Sequence, residues 1–398
     1  MKKQGLVFIC CIYSLVVSSQ PVQLSDSAFI SLITCEPADM AYALYGHTAI
    51  RVNDPKQDID YAFNYGIFDF NSPNFIYRFT KGETDYVLGV TLFPHFLQEY
   101  EARKSGVTEQ ILNLSEKEKQ QAWQALIENS MPENRKYRYN FLFDNCATRP
   151  RILLEKFTNG EINYQQVLPE TTFRELIHRC NRNHRWLTFG IDLALGAPLD
   201  KPIGQEPQLF LPDKLLTAFN KASILQSNGE SKNLVTEVRQ LVPHFPVEEK
   251  PTDSNPVVIC WVFFGIILLL SVLPVSSVNY SRWLDFSVFF IYGLVGCLIS
   301  FLSFISTHPC VFPNYTVIWL HPIHLIAGVM LFVRPCFRFL RGYMLVNGII
   351  LVVFLIAWKF IPQEFNPAFV PLVCAICLRS WLYSFKNQPF LRRIFRAK

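Results

Sequence analysis

Cys146 and His47 are the side chains whose types and settings suit nucleophilic chemistry. Cys146 follows the aromatic and apolar run Tyr139 to Phe143 and the pair Asp144-Asn145, and Ile152, Leu153, Leu154 and Phe157 come after it at helical spacing. Asp and Asn are good N-caps, so the chain is expected to pass from a strand or loop into a helix here, with Cys146 in the first helical turn. The helix dipole and free N–H groups there favour a thiolate over a thiol. A partly exposed thiolate of lowered pKa is what a cysteine nucleophile requires. Pro150 strains a helix beyond its first position, so the helix is expected to start late or kink. A lone cysteine is more often a buried structural residue. The flanking caps and an upstream base favour the reactive reading.

That base is His47, in Leu44-Tyr45-Gly46-His47-Thr48-Ala49-Ile50-Arg51-Val52. The alternating apolar pattern places His47 at or near a strand start, and imidazole titrates close to working pH. A Cys–His pair needs a third polar group to orient the ring. On the following strand Asp60, Ala62 and Asn64 share a face, because strand side chains alternate. Asn64 and then Asp60 are the candidates. Each of these residues also has a plainer reading, as a structural histidine or a solvent-facing strand-end polar group.

The elements that must hold this site fall in an uneven chain. Of 398 residues, 50% are hydrophobic and 15% aromatic, with the excess at the N-terminus and in the last third. A net charge of +5, dispersed along the chain, gives no footprint for nucleic acid. Lys2-Lys3, the apolar run Leu6 to Val17 and Ser18-Ser19-Gln20 read as a secretory signal over 1–19. Residues 20–240 read as one mixed domain: strands at Ala49 to Val52 and Tyr61 to Tyr65, a helix from the Ser115/Glu118 capping box to about Asn129, and long loops over 181–215. Residues 241–256 read as a proline-bearing linker. Of 11 cysteines, only Cys35, Cys146 and Cys180 belong to the exported part. They form no CxxC pair, so no metal site is expected. A Cys35–Cys180 disulfide would leave Cys146 free.

From 257 to 398 the composition changes class. Five apolar stretches, about 257–275, 284–306, 317–333, 343–361 and 367–385, approach spanning length. Arg282 lies in the first connection, and the second, Thr307 to Thr316, has no Lys or Arg. Arg334, Arg338 and Arg341 lie in the third, only Glu364 in the fourth, and the tail after Phe385 is basic. Positive and non-positive connections alternate, which predicts five spans with the N-terminus outside. The uncharged loop with His308 and Asn314 then lies on the side of Cys146, placed to bind a lipid head group or dock the exported domain.

The order His, polar residue, Cys is the reverse of papain. It resembles the circularly permuted branch of the NlpC/P60 papain-like superfamily, which predicts an α+β exported domain ahead of an all-α membrane domain. The segments Thr34 to Pro37, Tyr45 to Val52, Phe63 to Phe70, Tyr139 to Arg149 and Phe189 to Gly196 resemble the Lnb N-terminal periplasmic domain. His308-Pro309 and Asn314 resemble that family's external membrane loop. The resemblance implies a bacterial lipoprotein N-acyltransferase of the inner membrane, with a phospholipid acyl donor and a lipoprotein acceptor. It implies Cys146 and His47 as catalytic residues. Asn145, Arg149, Tyr45 and Tyr65 flank them as candidates for substrate binding or for holding the oxyanion. No cofactor is expected, and no Walker-type or GxGxxG motif is present. The competing readings are a papain-like peptidase, amidase or phospholipase, and a non-enzymatic membrane-anchored binding protein.

Overall fold

The computed structural model describes residues 22–40, 43–68, 73–226, 228–246, 251, 253–272 and 278–385. The signal expected at 1–19 and the basic tail at 386–398 lie outside the described residues.

The N-terminal part is built on a seven-stranded antiparallel sheet. Its strands are β1 (Phe29–Cys35), β2 (His47–Asp54), β3 (Ile59–Phe68), β4 (Asp85–Leu92), β5 (Val107–Leu112), β6 (Lys136–Arg138) and, from the end of the domain, β12 (Val235–Val242). The spatial order is β12-β5-β1-β2-β3-β4-β6. Short strands β7 (Glu161–Asn163), β10 (Ser223–Leu225) and β11 (Ser231–Asn233) make a second sheet, and β8 (Thr171–Thr172) pairs with β9 (Pro202–Ile203).

Both faces of the main sheet are covered, and the alternation of side chains decides what meets what. Helices α1 (Phe75–Lys81), α2 (Phe93–Ala102), α3 (Glu116–Ser130), α4 (Thr148–Phe157), α5 (Phe173–Cys180), α6 (Arg185–Ala194), α7 (Gln205–Gln208) and α8 (Pro212–Lys221) complete the domain. Ile30, Leu32, Ile50, Val52 and Phe63 pack with Trp123 and Leu126 of α3, Leu154 of α4 and Phe219 of α8. Burial of each such side chain contributes about 1.5–3 kcal/mol. The Ser115/Glu118 capping box starts α3, as the sequence predicts. On the other face Ile33, Cys35, Ala49 and Ala62 meet Phe93, Phe96 and Tyr100 of α2. His47 and Asn64 stand in register with this second set.

Two expectations change. Residues 181–215 are largely helical. Arg174 of α5 is fully buried and donates to Asp192 of α6 (2.8 Å) and to Asp200 (2.6 Å), so a tertiary ion-pair network organises what reads locally as loop. Cys35 and Cys180 are free thiols in separate core clusters and form no disulfide.

The C-terminal part holds α9 (Pro256–Val272), α10 (Val278–Phe304), α11 (Ile323–Met330), α12 (Phe337–Ala357) and α13 (Phe369–Phe385). By length and composition, α10 and α12 suffice to cross a membrane, while α9, α13 and the segment around α11 are shorter. The third apolar stretch is therefore not one continuous helix. A single 3-10 turn at Tyr315–Ile318 is followed by a break through Trp319 to Pro322 before α11 begins. Pro322 has no N–H to carry a helix through that point. Near the ends of α10 and α13 on the side of Arg282, Arg379 donates to Asp285 at 2.8 Å and to Ser271 of α9 at 2.8 Å, so the buried charge is paired.

Candidate active site

His47 opens β2. Gly46 precedes it with φ +73°, and a Cβ there would lie 2.7 Å from the carbonyl oxygen of Cys35. Only glycine takes that backbone conformation and that approach without strain. β2 pairs with β1, setting His47 opposite Cys35, and with β3 on its other edge. The register of β3 on β4 shifts between Asn64 and Ile67, a bulge that re-aims Asn64 beside the site. Nε2 of His47 lies 2.5 Å from Oδ1 of Asn64. A carbonyl oxygen only accepts, so Nε2 carries the proton and Nδ1 is left for Cys146.

Cys146 sits in a turn just ahead of α4, not in the first helical turn. Asn145 shapes that turn. Its Oδ1 accepts from the N–H groups of Ala147 (2.8 Å) and Thr148 (2.9 Å), and its Nδ2 donates to the carbonyls of Phe141 (2.8 Å) and Phe210 (2.9 Å). The helix starts late, as Pro150 predicts: α4 begins at Thr148, which leaves the proline in its first turn. Pro150 is the third residue of α4, where the N–H has no obligatory intrahelical partner, and Arg149 and Arg151 donate to the carbonyls of Asn145 and Ala147 on either side of it. Asp144 and Arg149 bracket the cysteine through a bidentate pair at 2.6 and 2.8 Å.

Burial alone raises the pKa of the Cys146 thiol. The charge of the His47 imidazolium, its hydrogen bond to the sulfur, and the N–H groups of Thr48 and Cys146 outweigh burial and leave the thiol below its ordinary value. Burial pulls His47 down, but Cys146 and Asn64 hold it above the usual imidazole range. The two shifts have one cause, a thiolate–imidazolium pair. Cys35 and Cys180 lack such a partner. Burial pushes Cys35 well up, and Cys180 up to about 12.

The pair opens on a cavity of about 1470 Å³, more than the roughly 300–1,000 Å³ of ordinary small-molecule sites. One wall is Tyr139, stacked on Tyr86 at 4.0 Å. Other walls are Trp186 and Ile191 of α6, Phe79 of α1, and Leu298 and Leu302 of α10. The N-terminal domain and the membrane-type helices thus share one apolar chamber. Length and periodicity carried no sign of these lining residues, because they come from distant segments.

The other expected site residues divide. Tyr45 lines the cavity, its hydroxyl accepting from Asn181 at 2.9 Å, and Asn145 reaches its edge. Arg149 and Tyr65 do not line it. Arg149 is committed to Asp144 and lies 3.6 Å over the Tyr137 ring, and the Tyr65 hydroxyl accepts from Asn129 at 3.0 Å in the core. Asp60 is held elsewhere, because Arg51 donates to both its oxygens (2.7 and 2.9 Å) while reaching Glu109 and stacking on Phe93. Asn64→Ala should therefore slow turnover about 100-fold, since a misoriented ring loses that much. Asp60→Asn should lower thermal stability and leave kcat unchanged. Equal kcat losses in the two variants would contradict this assignment.

His308 and Asn314 belong to the docking of the two parts. Asn314, 2% exposed, donates to the carbonyls of Leu193 (3.0 Å) and Ala194 (3.2 Å) at the end of α6. Gly196 donates to the carbonyl of Cys310 (2.7 Å), and a Cβ on it would strike Pro313. Asn366, between α12 and α13, donates to Asp192 at 3.0 Å. Nε2 of His308 lies 2.8 Å from the Phe79 carbonyl oxygen, and His308 also lines the cavity. Among the described residues no cluster of metal-ligating side chains forms.

Residues 22–179 match the family model of the Lnb N-terminal periplasmic domain, and residues 248–388 match that of the Lnb transmembrane domain. No curated protein and no solved structure matches the chain.

Proposed function

Because the chain belongs to the Lnb family of lipoprotein-maturation membrane proteins, with a periplasmic N-terminal domain and a transmembrane domain, we propose that it is a lipoprotein N-acyltransferase. It moves an acyl chain from a membrane phospholipid to the N-terminal amine of a diacylated lipoprotein. The observation that carries this reading is the Cys146–His47–Asn64 line at the wall of a chamber closed by the membrane-type helix α10. Donor and acceptor both live in a bilayer, and a chamber bounded by Leu298 and Leu302 is where their acyl chains would lie.

In this reading the Cys146 thiolate attacks the ester carbonyl of the phospholipid. The C–O bond breaks, the lysophospholipid takes the proton from His47, and the acyl group remains as a thioester. The lipoprotein amine then attacks, gives its proton to His47, and expels the thiolate as the amide forms. The N–H groups of Thr48 and Cys146, which converge on the sulfur, are the candidates for holding the oxyanion. Asn64 keeps the ring in place and no cofactor takes part.

The reading includes a permuted papain-like catalytic domain over 20–240, a signal at 1–19, a linker at 241–256 and five spans over 257–398 in the inner membrane. The alternation of basic and non-basic connections supports that topology, with the broken segment around α11 as the third crossing. Discontinuous backbone is tolerated at membrane depth when protein covers it, and Trp319 and His324 are buried there. Reconstitution in phospholipid vesicles with a diacylated lipopeptide tests the function. Amide-linked acyl on the lipopeptide amine supports transfer. Free fatty acid with no acylated lipopeptide would identify a hydrolase instead.

A further inference from the structure

Helix α1 is apolar where a soluble domain would not be. Ile76 is 79% exposed, Tyr77 56% and Phe79 47%. Isolated exposed apolar residues are ordinary, but three within one short helix form a patch that needs a partner. The surroundings say which. Tyr77 lies against Phe301 of α10, with ring centroids 6.3 Å apart. Thr307, just past α10, donates its N–H to the Lys81 carbonyl at 2.8 Å, and His308 bonds the Phe79 carbonyl. These contacts fix α1 at the outer end of a helix long and apolar enough to cross a membrane. Phe304, Ile305 and Phe312 are exposed at the same level, so the patch continues into the apolar surface of that helix. The basic residues of α1 turn to acidic partners on the domain: Arg78 donates to Asp85 at 2.8 Å and Lys81 pairs with Glu83 at 2.6 Å. An apolar edge with cations held back toward the polar side is the pattern of a helix lying in a membrane interface. Phe79, Thr80 and Gly82 also line the Cys146 chamber, as do Leu298 and Leu302 of α10.

We propose that α1 is seated in the outer leaflet of the bilayer and, with the outer end of α10, frames a lateral entrance through which lipid acyl chains reach the Cys146 chamber. Its occupant is the hydrocarbon of the leaflet itself. The seating stands on the patch and its contacts alone. The entrance role rests on the phospholipid-donor reading, and the two are tested separately.

The full chain is reconstituted in vesicles of phosphatidylethanolamine and phosphatidylglycerol carrying a trace of radiolabelled phospholipid. A benzophenone amino acid is placed at Ile76, or at Val238, which is exposed on β12 at the opposite part of the sheet. Lipid crosslinked at Ile76 and not at Val238 is the expected result. No lipid at Ile76, or equal labelling at both sites, would overturn the seating of α1. For the entrance, Ile76→Glu should lower transfer from vesicle phospholipid about tenfold, the order expected when one apolar side chain loses its apolar surroundings. Ile76→Leu should restore it, and iodoacetamide should alkylate Cys146 at the wild-type rate in both variants. Wild-type transfer in Ile76→Glu, or a parallel loss of Cys146 alkylation, would overturn the entrance. An unmutated chain that crosslinks lipid at Ile76 but transfers no acyl group would contradict the acyl-transfer reading, with the seating of α1 intact.

Discussion

Cys146→Ser is expected to reduce acyl transfer by roughly a million-fold, the scale at which removal of a covalent nucleophile is felt. The size follows from the pair, not from the sulfur alone. The imidazolium and two backbone N–H groups bring the Cys146 thiol below its ordinary pKa despite its burial. A serine hydroxyl in the same place stays protonated, since its intrinsic acidity lies far beyond what those groups shift. The exchange is nearly isosteric, and Asn145, which builds the turn, keeps all its bonds. Thermal unfolding and membrane level should therefore match the parent protein. Transfer within a few-fold of the parent in both Cys146→Ser and Cys146→Ala would remove the covalent route.

His47→Ala is expected to cost about 10²–10⁴-fold in transfer, the range of a lost general base. It should also change the thiol itself, which a purely structural histidine would not do. With the imidazolium gone, burial is the largest influence left and acts to raise the thiol pKa. The pH at which Cys146 alkylation is half-maximal should thus lie below the ordinary thiol value of about 8.5 in the parent protein and move upward in His47→Ala. At neutral pH the alkylation rate should fall accordingly. Cys35 and Cys180 do not confuse this readout, because burial keeps both protonated. An unchanged pH profile in His47→Ala would mean that the ring does not face the sulfur.

The meeting of Cys146 and His47 was legible because its signals are local. A helix-capping pair ahead of a cysteine, and a Gly-His at the start of an alternating strand, each follow from neighbouring residues. Asn64 was legible from strand alternation, but its separation from Asp60 was not. That choice depends on Arg51, which claims Asp60 across the strand pair, and on a bulge that turns Asn64 toward His47. Arg149 reads as a substrate ligand in sequence because its partner, Asp144, matters only once the turn closes on itself. The same limit hid α6. Its Gly190 and Asp192 weaken a helical pattern locally, and the buried Arg174 that demands Asp192 lies in another helix. In the C-terminal part, hydropathy marked the third apolar stretch but not its break, since apolar content says nothing of backbone continuity. The chamber itself has no sequence signature, because β2, α1, α6 and α10 each give it only a few residues.

The central claim is that an acyl group rests on Cys146 between two membrane-bound substrates. The direct measurement incubates the full chain with phospholipid in the absence of acceptor and determines the mass of the Cys146 peptide. The account predicts an acyl adduct on that peptide, labile to hydroxylamine, absent in His47→Ala, and discharged when a diacylated lipopeptide is added. A Cys146 peptide that stays unmodified while the lipopeptide is still acylated would contradict it.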